Sequence, residues 1–88
     1  MNYAIPGHVS YRRAGDEVFV YNRKSGRIYS FSDTGGFLWL RLAEGRAISS
    51  LPELIVDAYT IDNETAKHDI EKFISDLQDK ELLVSVDD

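Results

Sequence analysis

The chain has 88 residues, 43% of them hydrophobic, a formal net charge of −5 and no cysteine. That length supports one small domain, 1–88, with a modest core, and the lack of cysteine excludes a disulfide framework and thiolate metal ligation. No stretch approaches the roughly 20 apolar residues of a membrane span, and Met1-Asn2-Tyr3-Ala4-Ile5-Pro6 lacks the basic and apolar regions of a signal peptide, so the expectation is a soluble cytoplasmic protein.

Residues 1–7 read as a lead-in ending in the Pro6-Gly7 turn signal. His8-Val9-Ser10-Tyr11-Arg12-Arg13 alternates apolar and polar side chains and predicts a short strand. After a turn at Ala14-Gly15-Asp16, the run Glu17-Val18-Phe19-Val20-Tyr21-Asn22 is β-branched and aromatic. Its apolar residues fall on both faces, so neither face is expected to be fully wet. Arg23-Lys24-Ser25-Gly26 predicts a hairpin loop, with Gly26 where positive φ is often needed. Arg27-Ile28-Tyr29-Ser30-Phe31 is the third strand. Three strands with tight connections form an antiparallel meander, which needs helices to cover a face.

Ser32 or Asp33 is the expected N-cap of a first helix over 33–43, stopped by Gly45. Its apolar residues Leu38, Trp39 and Leu42, with Phe37 and Leu40 beside them, make a face wide enough for burial between layers. Ser50-Leu51-Pro52-Glu53 has the spacing of a capping box and opens a second helix over 50–59. Asp62 or Asn63 caps a third helix running to about Lys80, with the apolar stripe Ala66, Ile70, Phe73, Ile74 and Leu77. Leu82-Leu83-Val84 is an apolar exit, strand or extended cover, and Val86-Asp87-Asp88 should fray. The fold class is therefore α+β, winged-helix-like: a three-stranded antiparallel sheet followed by three helices.

Charge separates the two halves. Residues 1–45 carry six Lys/Arg against four acids, and residues 46–88 carry four against eleven. A DNA-reading helix must approach phosphates, yet residues 63–80 hold three lysines and five acids. A winged-helix DNA-binding regulator is thus the alternative reading, with the topology of a DNA binder but not its surface. Asp33-Thr34-Gly35 matches the aspartic-protease triplet, but that chemistry needs paired loops in an all-β fold, and helical periodicity follows here. Gly35-Gly36 is read as close helix–sheet packing. His8 and His68 lie on different elements without a partner at metal-ligand spacing. No catalytic set can be assembled, and neither a cofactor nor a metal is called for.

What remains is an edge. The third strand ends the meander, and an open edge offers unpaired N–H and C=O groups to another strand. If the third helix lies alongside, an extended peptide could add by β-augmentation.

Gly26-Arg27-Ile28-Tyr29-Ser30-Phe31-Ser32, Thr34-Gly35, Leu38-Trp39-Leu40-Arg41-Leu42 and Glu44-Gly45, followed by Leu54 to Tyr59, Asp69-Ile70, Phe73-Ile74, Leu77 and Leu82-Leu83, resemble the PqqD-like family over about 8–84. Phe31 stands in place of the family's usual Leu, Ser32 in place of Asn, and Glu81 where Gly is common. The resemblance implies a recognition element of a ribosomally made, post-translationally modified peptide pathway. Such an element binds the leader segment of a precursor peptide as an added strand and delivers it to a separate modifying enzyme. The length and the start at Met1 look most like the stand-alone protein of split lasso-peptide systems, whose partner is a leader peptidase. Carried over by position, the peptide-binding residues are Arg27, Ile28, Tyr29, Ser30 and Phe31 on the strand, and Lys67, Asp69, Ile70, Phe73 and Ile74 on the third helix. Which border of that helix faces the strand is open at this level.

Overall fold

The computed structural model describes residues 2–86. Strands β1 (Asn2–Ala4), β2 (Val9–Ala14), β3 (Glu17–Asn22) and β4 (Arg27–Ser32) precede helices α1 (Asp33–Ala43), α2 (Leu51–Ala58) and α3 (Asn63–Asp79), and β5 (Val84–Val86) closes the chain. The fold is α+β. The meander forms one antiparallel sheet in the order β2-β3-β4, and β1 pairs with β5 in a separate two-stranded sheet.

Alternation along β3 divides the faces of the main sheet. Val18, Val20 and Asn22 are buried, while Glu17, Phe19 and Tyr21 point out. Direct pairing sets Phe31 opposite Val18 and Tyr29 opposite Val20, so both share the inner face. The helices cover that face. Trp39 and Leu38 of α1, Leu51 and Ile55 of α2, and Ala66, Ile70 and Leu77 of α3 are all 2% exposed or less. The outer face is wetter than the sequence suggests, with Phe19 and Tyr21 each 40% exposed.

The β4–α1 corner brings helix and strand very close. A Cβ at Gly36 would stand 3.2 Å from the Phe31 carbonyl oxygen, and one at Gly35 would touch the Phe31 and Phe73 side chains. The expected packing role of this glycine pair therefore holds.

Helix ends agree with the sequence in part. Asp62 accepts a hydrogen bond from the Thr65 N–H at 2.8 Å and caps α3 as expected. At Gly45, φ is +83, with the Gly45 N–H bonded to the Leu42 carbonyl and the Arg46 N–H to that of Arg41. These are the paired bonds of a glycine-terminated helix. Neither expected cap of α1 forms through a side chain. Ser32 holds the N-cap position without a side-chain bond, and Asp33 adopts φ +52. The capping box at Ser50 and Glu53 is also absent. A 3-10 turn at Ile48–Ser50 leads into α2, so Ser50 is already helical, and its hydroxyl donates back to the Ala47 carbonyl.

The chain ends differ most from expectation. Residues 2–4 of the lead-in form β1, and Val86, expected to fray, pairs with Asn2. Neither three-residue segment has a periodicity that marks a strand; only mutual pairing makes them one. Asp87 and Asp88 lie outside the described residues.

Candidate functional site

Among the described residues β4 has a strand neighbour on one side only. Hydrogen-bond alternation shows which of its groups face the open side. The Arg23 N–H donates to the His8 carbonyl at 2.8 Å. Antiparallel pairs alternate between bonded and non-bonded, so Tyr21, Phe19 and Glu17 bond toward β2. Val18, Val20 and Asn22 then bond toward β4, through their partners Phe31, Tyr29 and Arg27. The backbone groups of Ile28 and Ser30 are left pointing outward. Ile28 is 68% exposed, and the Ser30 hydroxyl donates to Glu17 at 2.8 Å on the outer face.

Helix α3 runs antiparallel beside this strand. The Phe31 and Phe73 rings meet edge to face with centroids 5.5 Å apart. One β-period back along the strand, the Lys80 ammonium lies over the Tyr29 ring at 5.4 Å. Lys80 also pairs with Asp76 at 2.5 Å. Behind Phe31 lies Trp39, nearly parallel to it at 6.0 Å. At about 100° per residue, Asp69, Phe73, Asp76 and Lys80 share one flank of α3, and that flank meets the strand.

Two hollows open along it. A cleft of about 640 Å³ is lined by Thr34 and Leu38 of α1, Ile55 of α2, and Asp69, Lys72, Phe73, Ser75, Asp76 and Asp79 of α3. A second, of about 380 Å³, lies at the start of β4 among Asn22, Ser25, Arg27, Tyr29, Asp79, Lys80 and Glu81. An apolar floor with a rim of both charge signs suits an extended peptide held by backbone bonds and side-chain pockets. It assembles no acid–base or nucleophilic set. Among the described residues, the one carboxyl with a displaced pKa, Asp62, is held below the ordinary aspartate range by the Thr65 N–H and hydroxyl, as a helix cap.

Of the residues singled out from sequence, the structure brings Arg27, Tyr29, Phe31, Asp69 and Phe73 to this flank, with Ile28 and Ser30 on the open edge. Ile70 and Ile74 are core residues, 2% and 6% exposed. Lys67 is turned about 120° around the helix from Phe73 and does not line the cleft. Sequence reasoning passed over Thr34, Leu38, Lys72, Asp76, Asp79 and Lys80. The spacing of Asp69, Phe73, Asp76 and Lys80 was visible in the sequence, but it becomes a signal only once the flank facing β4 is known.

The fold and this flank define a small α+β domain with a free strand edge walled by a helix. The family model described as coenzyme PQQ synthesis protein D (PqqD) matches residues 17–83, and the chain belongs to that family. No curated protein matches it. Among solved structures, TbiB1 in complex with the TbiA(beta) leader peptide is 27% identical, with a TM-score of 0.91 over 97% of this chain and 99% of that one. Lasso peptide synthetase B1 complexed with the leader peptide shares the fold at 15% identity, with a TM-score of 0.87 over 97% of this chain and all of that one.

Proposed function

We propose that this protein binds the leader segment of a ribosomally made precursor peptide by adding it as a strand to the β4 edge. It then presents the precursor to a separate processing enzyme, a leader peptidase of a lasso-peptide system, and carries out no chemistry itself. The observation that carries the reading is the row of outward N–H and C=O groups at Ile28 and Ser30, alongside the flank of Asp69, Phe73 and Lys80. Backbone bonding to such an edge gives affinity, and the two hollows give specificity through alternate side chains. The TbiB1 relative, similar over its whole length, was solved with a leader peptide, which supports the same role here. Among the described residues no helix is long and apolar enough to cross a membrane.

Fluorescence polarisation with the leader peptide encoded beside this gene tests the reading, with mixed-sequence duplex DNA as control. Saturable peptide binding that the precursor's core segment alone does not show is the expected result. Tight, salt-sensitive DNA binding without a peptide response would overturn it. Adding the neighbouring peptidase tests presentation: leader cleavage should require this protein.

A further inference from the structure

The last turn of α3 forms one end of the groove wall, and one of the two side chains that hold it, His8, lies outside the groove. Helix α3 ends at Asp79. Beyond it, Glu81 takes φ +57 without being a glycine, a conformation that costs free energy and persists only where the surroundings hold it. The two carbonyls at this corner are held by side chains distant in sequence. Asn22 Nδ2 donates to the Lys80 carbonyl at 3.0 Å, and His8 Nε2 donates to the Glu81 carbonyl at 2.9 Å. His8 and Asn22 are neighbours at one end of the β2–β3 ladder: Val9 pairs with Asn22, and the Arg23 N–H donates to the His8 carbonyl. Asn22 also accepts from the Lys24 and Ser25 N–H groups, which ties the β3–β4 loop into the same node. The side chain of Lys80 then reaches over Tyr29 into the groove.

We infer that His8 is a positioning residue for peptide binding. Its Nε2–H, together with the amide of Asn22, seats the last turn of α3 against β4 and so sets the width of the groove at its Arg27 end. The inference rests on the leader-binding reading above. His8 lies outside the residues matched by the family model, and it lines neither hollow of the groove. It therefore acts through Glu81 and Lys80 and not by touching the peptide. The exposed Lys24–Glu81 ion pair, 3.6 Å long, lies at the same corner and adds little there.

The test compares the full chain with its His8→Ala and His8→Gln variants. Leader affinity and dissociation rate are measured below the melting range, and backbone amide shifts are recorded for the free proteins. His8→Ala should weaken leader binding about three- to tenfold, the worth of one net hydrogen bond, through faster dissociation. Its amide shifts should move at Tyr29, Lys80 and Glu81. His8→Gln, which keeps a donor at the Nε2 position, should restore most of the affinity. Unchanged affinity in His8→Ala, or His8→Gln binding as weakly as His8→Ala, would overturn the positioning role. A wild-type chain that does not bind the leader would overturn the leader reading itself, and this role with it.

Discussion

Proline at alternate positions of β4 separates the strand's outer edge from its inner ladder. In Ser30→Pro the lost N–H is one that points away from β3, so no β3–β4 bond is removed. Tyr29, the residue before it, is already extended, as a residue preceding proline must be. The folded state loses the exposed Ser30–Glu17 bond, and its stability should change by less than about 1 kcal/mol. A peptide adding to the edge loses one backbone hydrogen bond and is left with a carbonyl facing a ring. Together these cost about 2 kcal/mol, roughly a 30-fold rise in Kd. Tyr29→Pro has the opposite signature. Tyr29 bonds toward Val20, its ring is half-buried, and Lys80 sits over it. Losing the ladder bond costs about 3 kcal/mol, or a Tm lower by more than about 10 °C in a domain of this size. Isothermal titration with the leader peptide and thermal melts by circular dichroism read the two effects separately. If Ser30→Pro binds the leader as the wild type does, strand addition to this edge is wrong. If it melts as early as Tyr29→Pro, the assignment of outward and inward groups is wrong.

Other outcomes follow from the helix ends. Glu81→Gly should raise Tm by about 4–8 °C, because glycine takes the left-handed position after α3 without the Cβ penalty of about 1 kcal/mol. Gly36→Ala should lower Tm, since its Cβ would press on the Phe31 carbonyl at 3.2 Å and backbone cannot give way as a side chain can. Asp62 has its pKa lowered by the Thr65 hydrogen bonds. Its contribution is therefore full above the unfolded pKa and is lost as pH falls through the folded one, below about pH 4. Chemical denaturation at pH 5 and pH 3 should show a smaller loss for Asp62→Asn than for the wild type, and an equal loss would refute the cap's pH dependence.

How far the residues alone reach can be seen element by element. Alternation marked the first strand, β-branched and aromatic content the second and the hairpin loop before it the third, while period 3.6 placed the helices, whose inner face must leave water whatever packs against it. Gly45 and Asp62 marked helix ends for local reasons, a left-handed backbone in one case and a side-chain oxygen over free N–H groups in the other. The strand half of the candidate site was legible because an edge follows from the order of the meander, and Arg27 to Phe31 come last in it. The helix half was not. The stripe of α3 has two borders, Lys67 on one and Asp69 on the other, and both are equally plausible until the helix is docked. Packing of Phe73 on Phe31 and of Lys80 over Tyr29 turns the Asp69 border to the strand. The same docking sends Ile70 and Ile74 into the core. The β1–β5 pair, and the bonds from His8 and Asn22 to the end of α3, join residues far apart in the chain. Local periodicity carries no trace of them, because each partner is ordinary until the other is brought beside it.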